Sequence, residues 1–321
     1  MLRYVDETER ALSAREFPQN ALAVVRFGRK PSATVDGPGL TAHVPNSPLA
    51  AGPHEELWPA SGPVSRVALE GAVGAADDRF LFVSAETASA PGPGIETAAF
   101  DVYLRLLSGV ERAGFPHVIR VWNYVPRIHE DCGGIDRYMS FCRGRSEAFA
   151  ARYGPNFSER LPAASAVGCP GEKLVVHLLA GREPGRHVEN PRQLAAYRYP
   201  QRYGPKSPSF ARGTVTGGVV LVSGTSSIVG HESVYAGDPA RQTEETMRNI
   251  RAVLDASRVP GVRLRSLRVY LRFPEQLGPI RAVILAAPGP PVPTAWLQAE
   301  ICRPELLVEI EATATANPRL G

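Results

Sequence analysis

The chain has 321 residues, of which 44% are hydrophobic and 21% are charged, and its formal net charge is +4 at pH 7. This composition predicts a soluble globular protein that is long enough for two domains of about 150 residues each. The sequence has no run of about 18 uncharged apolar residues and no apolar leader in "MLRYVDETERALSAREF". We therefore expect a cytoplasmic protein without a membrane-spanning segment.

The residue pattern does not favour a metal site or a nucleic-acid partner. The four cysteines, Cys132, Cys142, Cys169 and Cys302, have no CxxC spacing, which favours reduced thiols. The loop "HEDCGG" (129–134) has no second ligand pair at a suitable spacing, so we expect no metal. All but three of the 36 basic residues are arginines, and no basic run contains interleaved aromatic residues, so we expect no nucleic-acid binding.

The two halves of the chain repeat one order of elements. Each half contains an apolar strand ending in Val-Ser, a polar turn, an amphipathic helix and a second strand. The predicted segments are 79–84, 95–115 and 117–125 in the first half, and 218–223, 243–256 and 264–272 in the second half. This order predicts a duplicated α+β unit with helices packed on one face of each sheet.

The boundary between the two units is predicted in the Pro/Gly/Ala-rich stretch 154–171, whose composition is typical of a linker. The prediction gives an N-terminal domain over residues 1–158 and a C-terminal domain over residues 159–321.

The last strong strand signal is "ICRPELLVEIEATA" (301–314), in which apolar residues alternate with a second face that carries Glu309 and Glu311. One interpretation is an edge strand whose outer face is solvated. The alternative is a buried face on which one carboxyl group is a reagent, because burial raises the pKa of a Glu towards neutral pH. This stretch alone leaves both interpretations open.

The second half of the chain resembles the RidA/YjgF family in "YGPKSPSFARGTVTGGVVLVSGT", "TEETMRNIRAVL" and the closing "VEIEA". The whole chain resembles one branch of that family, the chorismatases, which hydrolyse chorismate or convert it to 3-hydroxybenzoate. The motifs, in order, are "VWNYVPRI" (121–128), "RYMSFCRGRSEAF" (137–149), "ENPRQLAAYRYPQRYGPKSPSFARG" (189–213), "SGTSSIVGH" (223–231) and "ICRPELLVEIEA" (301–312).

The resemblance implies two RidA-like α+β domains with mixed sheets, of which the N-terminal one is degenerate and the C-terminal one carries the active site. It also implies chorismate as the substrate and no metal or organic cofactor.

The chemistry of chorismate requires an acid that is still protonated at neutral pH, because hydrolysis of its enolpyruvyl ether begins with proton donation to the methylene carbon. The resemblance at "LLVEIEA" implies that Glu309 is this acid, and an ionised Glu311 would raise the pKa of Glu309 by repulsion. We interpret Glu311 itself as structural.

Two further positions bear on the product. In benzoate-forming chorismatases a cysteine at the spacing of Cys302 lines the pocket beside the acid, so the resemblance implies this role for Cys302. Ser226 stands where the hydrolytic branch has alanine and a benzoate-forming branch has glycine. Since serine matches neither, the product stays open between 3-hydroxybenzoate, which we favour, and a dihydroxycyclohexadienoate.

The two carboxylates of the substrate require cationic partners, and arginine offers a planar, bidentate fork. The segment "YGPKSPSFAR" (203–212) contains our first choices, Tyr203 and Arg212, and Arg272 and Arg145 are further candidates. Gly224, in the turn after the strand, allows backbone N–H groups to approach a ligand closely.

Two other functions are weighed, a RidA-type imine or enamine deaminase and a non-catalytic metabolite-binding module. The deaminase is disfavoured because that family has an arginine about 15 residues before the closing-strand Glu, where this chain has Thr294 and no arginine nearby. Since a duplicated chain can satisfy part of its packing internally, we expect a monomer or a small homo-oligomer.

Overall fold

The structure, a computed structural model, describes residues 3–5, 20–28, 33–34, 37–49, 54–90 and 94–316. Within these ranges it contains four α-helices and 18 β-strands, arranged in two six-stranded sheets, a four-stranded sheet and a two-stranded hairpin.

The elements have the following bounds. The four-stranded sheet contains β1 (Arg3–Val5), β2 (Ala21–Phe27), β3 (Leu40–Val44) and β4 (Glu55–Pro59). The first six-stranded sheet contains β5 (Ser65–Leu69), β6 (Ala72–Ala76), β7 (Phe80–Ala88), β8 (His117–Pro126), β9 (Ala163–Cys169) and β10 (Lys173–Gly181). The second contains β11 (Arg186–Val188), β12 (Gly213–Thr216), β13 (Val219–Thr225), β16 (Arg263–Leu271), β17 (Thr294–Gln298) and β18 (Val308–Thr315). The hairpin is formed by β14 (Ile228–Val229) and β15 (Glu232–Ser233), and the helices are α1 (Gly94–Arg112), α2 (Arg137–Tyr153), α3 (Pro239–Ala256) and α4 (Leu277–Ala286).

The two six-stranded sheets have the same topology. Their strand orders are β5-β6-β7-β10-β8-β9 and β11-β12-β13-β18-β16-β17, and in each sheet the last pair, β8–β9 or β16–β17, is parallel. Helices α1 and α3 connect equivalent strands, as do α2 and α4. The predicted duplication, the α+β class and the helices and strands assigned to each half are therefore confirmed.

The core is organised in layers. Helices α1 and α2 cover one face of the first sheet, and α3 and α4 cover one face of the second. The remaining faces of both sheets pack against each other and against the four-stranded sheet, in a shared core that includes Val25, Phe82, Trp122, Leu221 and Tyr270. Any polar group on these inner faces is consequently shielded from water.

The predicted linker over 154–171 is wrong, because β9 occupies Ala163–Cys169 and pairs with β8 in the first sheet. Its small residues reflect close packing rather than flexibility: a Cβ on Gly168 would lie 2.6 Å from the Cβ of Glu300. The first sheet extends to Gly181. By sheet membership, the chain therefore divides after residue 181 rather than at residue 158.

The edge-strand interpretation of the closing strand is also wrong. Strand β18 lies inside the second sheet, between β13 and β16, and residues 308–314 are all buried. Both of its faces are covered, so Glu309 and Glu311 lie within the protein.

Candidate active site

A cavity of ≈ 210 Å³ is lined by residues of both halves. The first half contributes the start of α2 and the middle of β9, and the second half contributes the segments around Tyr203, Gly224 and Cys302 together with Glu309. Seven of the eight predicted site residues line this cavity: Glu309, Cys302, Ser226, Tyr203, Arg212, Gly224 and Arg145. Most of the lining comes from the C-terminal half, which we expect to carry the site, and the first half supplies the remainder.

Glu309 is the group best suited to donate a proton. Its side chain is 5% exposed and borders the cavity. Burial, together with the negative charge of Glu311, raises the pKa of Glu309 to about 8, against the opposing effect of Arg120 and Arg212. The carboxyl group is thus mostly protonated at neutral pH.

Glu311 has the opposite protonation state, although it is equally buried. Burial alone would raise its pKa, but Arg268, Arg120 and hydrogen bonds from Ser165 and Trp122 outweigh this and lower the pKa below its ordinary value. The two carboxyl groups on this strand face therefore differ in protonation state: Glu309 is neutral and Glu311 is ionised.

Gly224 permits the strand next to Glu309 to approach it. The register of β13 against β18 shifts between Val222 and Thr225, which places a bulge at this point. A Cβ on Gly224 would overlap the Glu309 carboxyl. The absence of a side chain at Gly224 therefore leaves the space that the Glu309 carboxyl occupies.

Arg212 and Arg303 place two guanidinium groups at the cavity. Arg212 donates to the Tyr199 hydroxyl at 2.7 Å and to the Leu194 carbonyl at 3.0 Å. Arg303 lies 3.9 Å from the ring centroid of Tyr203 and donates to the His231 carbonyl at 2.9 Å. Arg212 Nε and Arg303 Nη2 have no hydrogen-bond partner among the described residues, which leaves donors free for an anion.

Arg145 and Arg272 differ in position. Arg145 borders the cavity from α2, with its guanidinium 4.9 Å from the ring centroid of Phe141. Arg272 does not line the cavity, and its guanidinium donates to the carbonyls of Leu306 at 3.0 Å and Arg303 at 2.8 Å. It therefore holds the segment before β18 in place, and the structure does not bring it together with the other predicted site residues.

Cys302 and Ser226 border the same cavity as Glu309. Burial, followed by the charge of Glu309, raises the pKa of the Cys302 thiol, so that it stays protonated at neutral pH. The Ser226 hydroxyl donates to the Val308 carbonyl at 2.9 Å, immediately before Glu309. Its oxygen can still accept a hydrogen bond.

Sequence reasoning missed Arg303, Tyr138, Tyr199 and Ser165, which also line the cavity. Arg303 stands beside Cys302 within a recognised motif, and this adjacency was a usable signal. The small residues around Ser165 gave no such signal because they resembled a linker.

Two further properties of the described residues concern metals and membranes. Among them, no three His, Cys, Asp or Glu side chains are close enough to hold a metal ion. In the same ranges, no helix has both the length and the apolar character needed to cross a membrane.

Comparisons with known proteins identify the family. The chain is 34% identical to a 3-hydroxybenzoate synthase of Streptomyces hygroscopicus over 281 residues, which is 81% of each chain. The chain belongs to the chorismatase family. It is also 35% identical to a chorismatase of Streptomyces rapamycinicus over 274 residues, 80% of each chain. The predicted resemblance is thereby confirmed.

Two further matches show how much of the chain has the chorismatase fold. The family model for the N-terminal part of FkbO/Hyg5-like chorismatases matches residues 56–180, and so ends with β10. A chorismatase crystal structure matches with a TM-score of 0.88 and 27% identity, covering 98% of both chains. The fold of the chorismatase family therefore extends across both halves.

Proposed function

We propose that this chain is a chorismatase that converts chorismate to pyruvate and 3-hydroxybenzoate, with Glu309 as the general acid. The observation that carries the proposal is a buried carboxyl with a pKa of about 8 in a cavity that three arginines also line. This arrangement matches a dianionic substrate whose enol ether must be protonated on carbon.

The first step is proton transfer from Glu309 to the methylene carbon of the enolpyruvyl group, which leaves an oxocarbenium ion and a Glu309 carboxylate. Water then adds to the cationic carbon, and its released proton returns to Glu309. The resulting hemiketal collapses to pyruvate and the ring alcohol. Since Glu309 is protonated again at the end, these steps require no cofactor.

The substrate carboxylates are assigned to Arg212 and Arg303, with Arg145 and Tyr203 as further contacts. Arg212 and Arg303 are each fixed by hydrogen bonds to the protein, yet each retains a buried N–H without a partner among the described residues. A donor held in place in this way can bind an anion without first losing conformational freedom.

The ring product is assigned to 3-hydroxybenzoate because Cys302 borders the same cavity as Glu309. The dihydroxycyclohexadienoate formed by simple hydrolysis becomes 3-hydroxybenzoate when it loses one water, so the two outcomes differ in the fate of the ring. Ser226 bears on this step because its hydroxyl group, which donates its hydrogen to the Val308 carbonyl, can still accept a hydrogen bond from water. A water retained there would favour plain hydrolysis.

The decisive experiment is incubation with chorismate and measurement of pyruvate by a coupled lactate dehydrogenase assay. Chromatography of the same mixture separates the aromatic product from the diene acid. We expect pyruvate and 3-hydroxybenzoate in equal amounts. Tight chorismate binding without pyruvate would indicate a binding module, and release of ammonia from imine substrates would indicate a RidA-type deaminase. A cytosolic location and a monomeric or small homo-oligomeric state stay predictions.

A further inference from the structure

Ser165, on β9 of the first half, connects three groups around the proposed acid. Its hydroxyl oxygen accepts hydrogen bonds from the Arg120 guanidinium and from the backbone N–H of Gly224, the latter at 3.1 Å. The same hydroxyl is hydrogen-bonded to Glu311. A side chain of the first sheet thus contacts both the bulge of β13 and the charged residue of β18.

Glu311 is fixed as an anion by side chains that surround it. Arg120 and Arg268 lie 3.2 Å and 3.4 Å from its carboxylate, and the Trp122 indole and Tyr270 hydroxyl donate to it at 2.9 Å and 3.2 Å. Arg268 is also paired with the buried Glu56 at 2.7 Å. The charges of two arginines and two glutamates therefore balance within a buried cluster, and four side chains hold Glu311 on the strand face that it shares with Glu309.

We propose that Ser165, Arg120 and Glu311 are positioning residues for Glu309: they hold the β13 bulge against its carboxyl and keep a fixed negative charge on the same strand face. The inference rests on the proposed function, since it concerns the acid of that reaction. It assigns to the first half of the chain a part in setting the strength of an acid that lies in the second.

The distance between Glu309 and Glu311 sets the expected change in the pKa of Glu309 when the charge of Glu311 is removed. Glu309 and Glu311 are two residues apart on one strand face, which places their Cα atoms about 6.6 Å apart. The other titratable or charged side chains that act on Glu309 are Arg120 on β8, Arg212 before β12, and Cys302 before β18. Both arginines favour ionised Glu309, and Glu311 opposes them. Removing the Glu311 charge should therefore let Glu309 ionise about one to two pH units lower.

The test uses Glu311→Gln, with Glu311→Asp as a matched variant that retains the charge. A general acid is active below its pKa, so kcat for pyruvate release should fall as pH rises through that value. In Glu311→Gln this fall should occur about one to two pH units earlier than in the native protein, and the two rates should converge at low pH. Glu311→Asp should keep the native profile. A folded Glu311→Gln protein with the native profile would overturn the proposal, as would one that is slower by a constant factor at every pH.

A second readout needs no substrate. The infrared band of the protonated Glu309 carboxyl, identified as the band lost in Glu309→Gln, should disappear at lower pH in Glu311→Gln than in the native protein. A native protein that released no pyruvate would refute the proposed function, whereas this titration would still decide the inference. If Glu311→Gln does not fold, the proposal is tested with Ser165→Ala. A kcat that is reduced by about tenfold or more, with KM changed less than about twofold, supports the proposal. An unchanged kcat overturns it.

Discussion

Replacing Glu309 by glutamine is expected to abolish activity and, at the same time, to stabilise the fold. Glutamine preserves the shape of the side chain but cannot donate a proton to carbon, and loss of general acid catalysis typically costs about 10²–10⁴ in rate. Because the pKa of Glu309 is about 8, the proton is present on about nine in ten native molecules at pH 7. At the ordinary pKa of 4.5 it would be present on fewer than about one in a hundred.

The stability change follows from the same raised pKa. The folded protein binds this proton more tightly than the unfolded chain, so the free energy of unfolding decreases as pH rises from 4.5 to about 8. At 1.36 kcal/mol per pKa unit, the interval between pH 4.5 and pH 7 corresponds to about 3 kcal/mol of stability lost by the native protein. Glutamine has no proton to lose, so the variant should be more stable than the native protein at pH 7 by up to about 3 kcal/mol. Below about pH 4.5 the two should converge.

The measurements are pyruvate release from chorismate and urea unfolding at pH 5 and pH 7.5. Glu86→Gln is the matched control, since Glu86 is a strand residue of β7 whose partner is the exposed Lys173. The control should retain both activity and stability. Our reasoning fails if Glu309→Gln keeps native turnover, or if it loses stability at pH 7.5 together with activity, because the latter would indicate structural damage rather than loss of an acid.

Three further predictions concern the rest of the cavity. Arg212→Ala should weaken binding of chorismate or an unreactive dicarboxylate analogue by about 1.5–3 kcal/mol, the usual contribution of a charge-assisted hydrogen bond; an unchanged dissociation constant by calorimetry would direct attention to Arg303. Gly224→Ala should lower the free energy of unfolding by about 1–3 kcal/mol and abolish activity, because its Cβ overlaps the Glu309 carboxyl, and native-like chemical denaturation would contradict this. Cys302→Ala should shift the product from 3-hydroxybenzoate towards the diene acid by chromatography, and a native product ratio would remove the cysteine from product control.

Local patterns in the sequence predict the helices and strands whose apolar residues recur with a regular period. Helices α1 and α3 expose one face and bury the other, so their apolar residues recur at helical spacing. The predicted ends of both helices lie within a few residues of the ends in the structure. Strand β9 was not found, because its small residues lack the bulky alternation of a typical strand and match the composition of a linker. What specifies it is close contact with the second half, as at Gly168, which no local pattern encodes.

Some site residues could likewise be predicted from the sequence, and others could not. Glu309 could be proposed as the acid only through the resemblance at "LLVEIEA", because the alternating pattern alone fits a solvated strand face equally well. The burial that raises its pKa is visible only in the fold. Arg272 and Arg303 are both arginines near the same segment, and apart from the adjacency of Arg303 to Cys302 the sequence does not show that only Arg303 lines the cavity. The direction of an arginine side chain depends on which acceptors the fold places around it, and those acceptors come from distant parts of the chain.

The duplication gives two strands equivalent shielded positions, and the residues that they carry there differ. Strands β10 and β18 occupy equivalent positions in their sheets, and the same face of each packs into the shared core. On β10 this face carries His177, which burial keeps neutral by lowering its pKa to about 3, and which contacts the His43 carbonyl at 3.3 Å. On β18 it carries Glu309 and Glu311. Packing two sheets face to face excludes water from both strands, but only β18 has a pair of carboxyl groups for that environment to separate into a neutral acid and a fixed anion.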